Sequence, residues 1–185
     1  FMSIGCNRLL NNSVSEKKFS NAAVMLKYLH EQLLLILEKG IGEDSYVRDG
    51  MDIALCIIDK KTNLMSFAGA HNPLVIMRNN EQTIYEADRK SLGFAMNKEK
   101  ERQFVEHKIQ LQSGDQLYLF SDGFSDQFGG SKKQKYFYLN FIKFIEKISE
   151  NSMEDQYVEL VNEFLAWKGD HEQIDDVLVM GLKIN

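Results

Sequence analysis

The sequence predicts a single α+β domain, and three observations carry that reading. Short β-patterned runs gather in the middle of the chain and are joined by turns too short for helical crossovers, which argues for antiparallel pairing. Apolar residues recur at three- and four-residue steps on both sides of that cluster, the period of amphipathic helices. A chain of 185 residues with 44% hydrophobic side chains can bury one sizeable core and has little room for a second.

Residues 2–11 read as a short helix closed by Asn11-Asn12. Ser20 or Asn21 can cap a second helix. Its Ala22, Leu26, Leu29, Leu33 and Ile36 trace one face, and Lys39-Gly40 is its stop. Residues 53–58 are an almost unbroken apolar run, the pattern of a strand buried on both faces. Residues 60–63 turn the chain and Leu64–Ala70 returns it. Further strands are expected at 75–77, 83–85, 105–111 and 117–120, with Asn79-Asn80 and Ser113-Gly114-Asp115 as turns. Phe137, Phe141, Phe144, Ile145 and Ile148 form a helical stripe. Ser152-Met153-Glu154-Asp155 resembles a capping box. It opens a helix expected to bring Tyr157, Val161, Phe164 and Leu165 to one face before Lys168-Gly169. Residues 177–184 are the last strand.

Composition narrows the function. Lys and Arg number 22 against 27 Asp and Glu, a net charge of −5, so no basic surplus exists to neutralise phosphates and no nucleic acid partner is expected. No run approaches 18 apolar residues and no basic-then-apolar leader opens the chain. A cytoplasmic location is therefore expected, either free or as the cytoplasmic part of a membrane-anchored sensor protein. Cys6 and Cys56 sit in apolar stretches and read as buried thiols of a reducing compartment.

Three places could carry chemistry. Asp122 stands where the apolar run 117–120 ends, followed by Gly123. A carboxylate placed there suits a hard cation such as Mg²⁺ or Mn²⁺, and a solvated Asp-Gly turn is the plain alternative. Asp175 and Asp176 enter the last strand, where alternation lets at most one of them point at a given site. His71, beside Asn72 and the only proline, Pro73, could be a ligand or base, or a loop residue that only hydrogen-bonds. Lys132-Lys133-Gln134-Lys135 is a solvated basic run or a steering patch for a phosphorylated substrate. No nucleophile–His–acid order and no Gly-rich phosphate loop is present. Carboxylates at strand ends converge on an oxygen-ligand metal site able to clamp a phosphoryl group, although two positions are few for two metals.

Four ordered blocks carry a resemblance: Gly50-Met51-Asp52-Ile53-Ala54-Leu55, Ala68-Gly69-Ala70-His71-Asn72-Pro73-Leu74, the stretch from Gly114 to Gly123, and Gln173-Ile174-Asp175-Asp176-Val177. Together they resemble the SpoIIE-like branch of the metal-dependent (protein phosphatase 2C-like, PPM) serine/threonine phosphatases. The extension Phe124-Ser125-Asp126-Gln127-Phe128-Gly129-Gly130 is similar to a bacterial subgroup attached to sensor regions. The resemblance covers residues 1–185 as one phosphatase domain and implies a four-layer α-β-β-α sandwich. It implies Asp122 and Asp175 as metal ligands, with Gly123, Asp176, Asp126, His71 and Asn72 as lesser candidates and no catalytic group beyond the ligands. It implies two Mn²⁺ or Mg²⁺ ions and hydrolysis of phosphoserine or phosphothreonine without a covalent enzyme intermediate. The substrate would be a phosphorylated protein, such as an anti-sigma-factor antagonist of a partner-switching pathway, and an upstream sensor domain would govern the activity.

One departure qualifies this. The family's first metal-bridging Asp, ahead of its first helix, would stand before Phe1. The domain is therefore expected to be N-terminally truncated and this chain inactive by itself. The alternative is a non-catalytic, phosphatase-like module that binds a signalling partner. Strands missing from the sheets would leave open edges, which invite pairing with a second copy as a homodimer.

Overall fold

The computed structural model describes residues 2–13, 18–40, 50–93 and 103–185; Phe1 and the Cys6 side chain lie outside them. Its elements run α1 (Met2–Asn12), α2 (Ala22–Gly40), β1 (Ile53–Asp59), β2 (Leu64–Ala70), β3 (Leu74–Arg78), β4 (Glu81–Tyr85), β5 (His107–Gln110) and β6 (Gln116–Phe120). Then follow α3 (Gly123–Asp126), β7 (Phe128–Gly129), β8 (Gln134–Lys135), α4 (Tyr138–Ile148), α5 (Met153–Lys168) and β9 (Val179–Lys183). The chain divides into two compact units, Phe1–Pro73 with Tyr85–Leu111 and Leu74–Ile84 with Gln112–Asn185. The expected α+β class with antiparallel sheets is found: a three-stranded sheet in the first unit, and a four-stranded sheet and the β7–β8 ribbon in the second. Among the described residues no helix is long and apolar enough to cross a membrane.

In the first unit the sheet order is β1-β2-β5. Asn21 caps α2 as expected, its Oδ1 accepting the Val24 N–H at 2.9 Å. The next N–H, that of Ala22, donates to Ser66 Oγ on β2 at 2.8 Å, so the helix start is tied to the sheet. From there Met25, Leu26, Leu29 and Leu33 bury one face against Ala68, Ala70 and Leu92. A fully buried leucine contributes roughly 1.5–3 kcal/mol by leaving water, so this face alone can hold the helix down.

β1 departs from expectation. Its residues 53–58 are half-buried throughout instead of buried on both faces. Among the described residues it pairs only with β2, in the register Ile53↔Ala70 to Asp59↔Leu64, and its other edge is open. Ile53, Leu55 and Ile57 pack toward the α2 cluster. Cys56 on this strand is a free thiol, and burial pushes its pKa up to about 12, so it carries no thiolate chemistry near neutrality.

In the second unit the order is β4-β3-β6-β9. Asn79 and Asn80 close the β3–β4 hairpin with φ of 51° and 63°, the left-handed pair that a two-residue hairpin turn demands. Asp115, at the start of β6, is almost fully buried and grips Arg78 of β3 with two hydrogen bonds, 2.7 and 2.6 Å. It also accepts the Gln112 N–H at 2.8 Å. Burial pushes the Asp115 carboxyl up, but the Arg78 and Gln112 bonds outweigh it and hold the group below the usual carboxylate range.

Phe141, Ile142 and Ile145 of α4 bury against Val75, Met77, Tyr118 and Phe120 of the sheet. Phe137, expected in that stripe, instead precedes the helix at φ 71° and is half exposed. The Ser152 cap on α5 forms, its Oγ accepting the Asp155 N–H at 3.1 Å. The buried face of α5 differs from the expected one. Met153, Leu160, Phe164 and Trp167 pack on the core, whereas Tyr157, Val161 and Leu165 face solvent. Helix α5 has two apolar stripes, and the sheet takes the one that ends in the large Trp167.

Candidate metal centre

Asp122 and Asp175 lie 53 residues apart in sequence, and one strand pair brings their segments together. β6 and β9 run antiparallel in the register Gln116↔Lys183 to Phe120↔Val179. Beyond the last ladder pair, Ser121 continues the connection. Its N–H donates to the Leu178 carbonyl at 3.0 Å, its hydroxyl donates to the Asp176 carbonyl at 2.9 Å, and its Oγ accepts the Leu178 N–H at 3.0 Å. The next residue but one makes the approach closer. A Cβ on Gly123 would overlap the Asp176 carbonyl oxygen and stand 2.9 Å from its carbon, so only glycine lets the two backbones touch. Asp122 and the Asp175-Asp176 pair therefore belong to one end of this sheet.

Each candidate residue can now be placed. Asp122 is exposed at the N-cap position of the four-residue α3; its side chain does not cap the helix. Its carbonyl accepts the Asp126 N–H and the Ser125 hydroxyl, both at 2.9 Å, which fixes the turn. Asp175 is exposed, its Oδ1 accepting the Asp176 N–H at 2.7 Å while Gln173 Nε2 donates to its carbonyl at 2.8 Å. Asp176 is exposed as well, and its carbonyl is the one Ser121 and Gly123 contact. Asp126 forms an ion pair with Lys135 at 2.7 Å, which turns it toward the β7–β8 ribbon. His71 and Asn72 lie in the first unit on the turn after β2. His71 is exposed with φ 61°, and its N–H donates to the Asp88 carbonyl at 2.8 Å.

Sequence reasoning missed what holds the Asp175 loop. Gln127 is fully buried, and its Nε2 donates to the carbonyls of Phe128 and of Glu172, both at 2.9 Å. Its own carbonyl accepts the Tyr136 N–H and Trp167 Nε1–H, both at 3.0 Å. Gly129 sits directly against the Trp167 carbonyl, where any side chain would collide, and the Gly130 N–H donates to that carbonyl at 2.9 Å. The segment 127–130 thus braces the end of α5 and the loop leading to Asp175. The only sequence signal was the Gln-Phe-Gly-Gly motif itself, since neither a buried amide nor a glycine reveals its partner by spacing.

The donor chemistry can be tested against the ions that the resemblance implies. Asp122 and Asp175 offer exposed carboxylate oxygens on braced backbone, which suits a hard divalent cation bound through one or two carboxylates and several waters. Among the described residues no three His, Cys, Asp or Glu side chains gather to hold a metal ion. Among the described residues, Asp122 and Asp175 would each supply a carboxylate to a divalent cation, with water filling the remaining positions.

Comparison with known proteins agrees with the fold. The SiaA-PP2C domain of Pseudomonas aeruginosa superposes with a TM-score of 0.85 at 19% identity, over 100% of this chain and 69% of that one. The phosphatase domain of the cell fate determinant SpoIIE from Bacillus subtilis, presoaked with Mn, gives 0.54 at 17% identity, over 100% of this chain and 73% of that one. The catalytic domain of the serine/threonine protein phosphatase PstP, in complex with two manganese ions, gives 0.66 at 14% identity, over 100% and 81%. Among curated proteins none matches the chain. A family model described as Stage II sporulation protein E (SpoIIE) matches residues 8–185, nearly the whole sequence, and the chain therefore belongs to the SpoIIE family of PP2C-like phosphatase domains.

Proposed function

We propose that this chain carries the phosphoryl-hydrolysing site of a bacterial protein serine/threonine phosphatase in a signalling pathway. The observation that supports it is the Ser121–Gly123 contact with Asp176–Leu178, which sets Asp122 and Asp175 at one sheet end in a family-matched phosphatase fold. Asp122 and Asp175 would hold a divalent Mn²⁺ or Mg²⁺. When bound, such an ion supplies positive charge to phosphoryl oxygens and acidifies water. The protein's share is positional. Ser121 fixes the distance between the blocks, Gln127 steadies the loop that leads to Asp175, and the exposed edge leaves room for a phosphorylated protein segment. A phosphoprotein such as an anti-sigma-factor antagonist would be the substrate, and an upstream sensor domain the control.

A second reading is favoured by one observation, the shortage of ligands for two ions among the described residues. In it the domain binds a signalling partner without hydrolysis. Mn²⁺ titration of this chain by calorimetry, paired with phosphoserine-protein hydrolysis by the full-length protein, separates the two. Weak Mn²⁺ binding in the millimolar range, with hydrolysis that rises with Mn²⁺ and is lost in Asp122→Asn and Asp175→Asn, supports the phosphatase. Mn²⁺ binding without hydrolysis supports the binding module. A chain that binds no Mn²⁺ refutes the metal centre.

A further inference from the structure

The exposed stripe on α5 is accounted for by neither the core nor the metal centre. Four large apolar side chains lie on it: Tyr157 is 68% exposed, Val158 52%, Val161 39% and Leu165 54%. They recur at steps of three and four residues, so they form one continuous band along a helix whose core contacts are made by a different band. Together they expose a patch of a few hundred Å², about the largest that a typical monomer shows, and patches of that size are often interaction sites.

The charges at the two ends of the band indicate what covers it. Glu154 lies seven residues before Val161 and Lys168 lies seven residues after it. Seven residues are two helical turns, about 10.5 Å, so both charges stand on the same face as Val161, at equal distances along the axis. Tyr157 and Leu165 flank Val161 in the same way, four residues to either side. The band is thus complementary to its own reversed copy. When two such helices pack antiparallel about a two-fold axis at Val161, each Glu154 meets a Lys168 and each Tyr157 meets a Leu165. Lys168 Nζ already donates to the carbonyls of His171 and Gly169 at 3.2 and 3.4 Å, and an ammonium has a third donor for the carboxylate.

We infer that this face of α5 is the interface of a homodimer, in which two copies of α5 pack antiparallel about a two-fold axis through Val161. The interface is isologous, so one band serves both partners and the assembly closes at two. The helices interdigitate through Tyr157, Val158 and Leu165, and the Glu154–Lys168 pairs fix register and direction, the role that flanking charges play in paired helices. This inference does not depend on the metal centre.

Sedimentation velocity over a concentration series tests it. The parent chain is expected to dimerise reversibly. Val161→Glu places two carboxylates at the axis and is expected to weaken the dimer about tenfold or more. Val161 is solvent-facing in the single chain, so circular dichroism should show the variant folded. Glu154→Lys and Lys168→Glu, made singly, are each expected to weaken it about fivefold, and the double charge reversal to restore it. Val161→Cys is expected to give a disulfide-linked dimer on mild oxidation at a yield well above that of the parent with Cys6 and Cys56. A chain that is monomeric at every concentration overturns the inference, whether or not the stripe then binds phospholipid vesicles or another protein. So does a dimer that Val161→Glu leaves intact, or one whose charge reversals fail to compensate each other.

Discussion

Gly123→Ala is the sharpest probe of how the two acidic blocks are held together. A Cβ there would overlap the Asp176 carbonyl oxygen and lie 2.9 Å from its carbon, against an ordinary carbon–carbon contact of about 3.5 Å. Both atoms are backbone, so no side chain can swing aside. The turn after β6 and the segment before β9 must separate by more than about half an ångström, against the three hydrogen bonds of Ser121 that hold them. Overpacking of this kind costs about 1–3 kcal/mol. For a chain of 185 residues that lowers the melting temperature by roughly 2–12 °C. The same separation moves Asp175 away from Asp122, so Mn²⁺ binding should weaken along with stability. Gly181→Ala is the matched control. Its Cβ would meet the flexible Met153 Sδ at 3.2 Å, and the variant should melt close to the parent. Differential scanning calorimetry and Mn²⁺ titration read both effects. A Gly123→Ala protein with parental melting and a parental Mn²⁺ isotherm refutes the backbone contact on which the candidate centre rests.

Three other substitutions probe the scaffold. Ser152→Ala should cost about 1 kcal/mol in urea unfolding, the worth of the α5 cap, and an unchanged midpoint would show that the cap contributes nothing. Asp115→Asn should cost about 2 kcal/mol at neutral pH by removing the charge that grips Arg78. The Asp115 carboxyl is depressed in the folded chain, so its stabilisation is complete above the unfolded value near about 3.9 and fades as pH falls below it. The gap between parent and variant should therefore be flat from neutrality to about pH 5 and shrink under further acidification; a pH-independent gap contradicts the assignment. Gln127→Leu removes the amide bonds to the Phe128 and Glu172 carbonyls and should speed hydrogen exchange at residues 171–176. Unaltered exchange there would mean that Gln127 does not brace the loop.

Most elements were legible because each leaves a local trace. Ser152 and Asn21 mark helix starts through their oxygens, Asn79-Asn80 marks a hairpin through tolerance of left-handed backbone, and Leu64–Ala70 reads as a strand by composition. What failed were statements about neighbours. The apolar run of β1 promised burial on both faces, but burial depends on whether a strand lies on each side, and that is not written in residues 53–58. On α5 the sequence offered two apolar bands at helical spacing, and the choice between them was made by the sheet, through Trp167 and Phe164, not by periodicity.

The candidate centre divides along the same line. Asp122 was a candidate because it follows the apolar run 117–120, Asp175 because it enters the last strand, and the block order supplied the family. Their juxtaposition was not readable, since it comes from the β6–β9 register between segments more than 50 residues apart. Yet the sequence does record the consequence of that register in the small residues beside the acids. Ser121 has the one hydroxyl that can both donate to and accept from the facing strand, and Gly123 is the absence of a side chain where two backbones meet. Gln127 and Gly129 repeat the device one step further out, an amide reaching a carbonyl and a glycine under Trp167. A fixed backbone narrows the positions that the carboxylates it carries can reach, and a weakly held cation loses most when its ligands wander. The spacing of hydroxyl, glycine and amide around Asp122 therefore carries as much of the site as the carboxylates, and substitutions at Ser121, Gly123 and Gln127 should damage cation binding without touching a ligand.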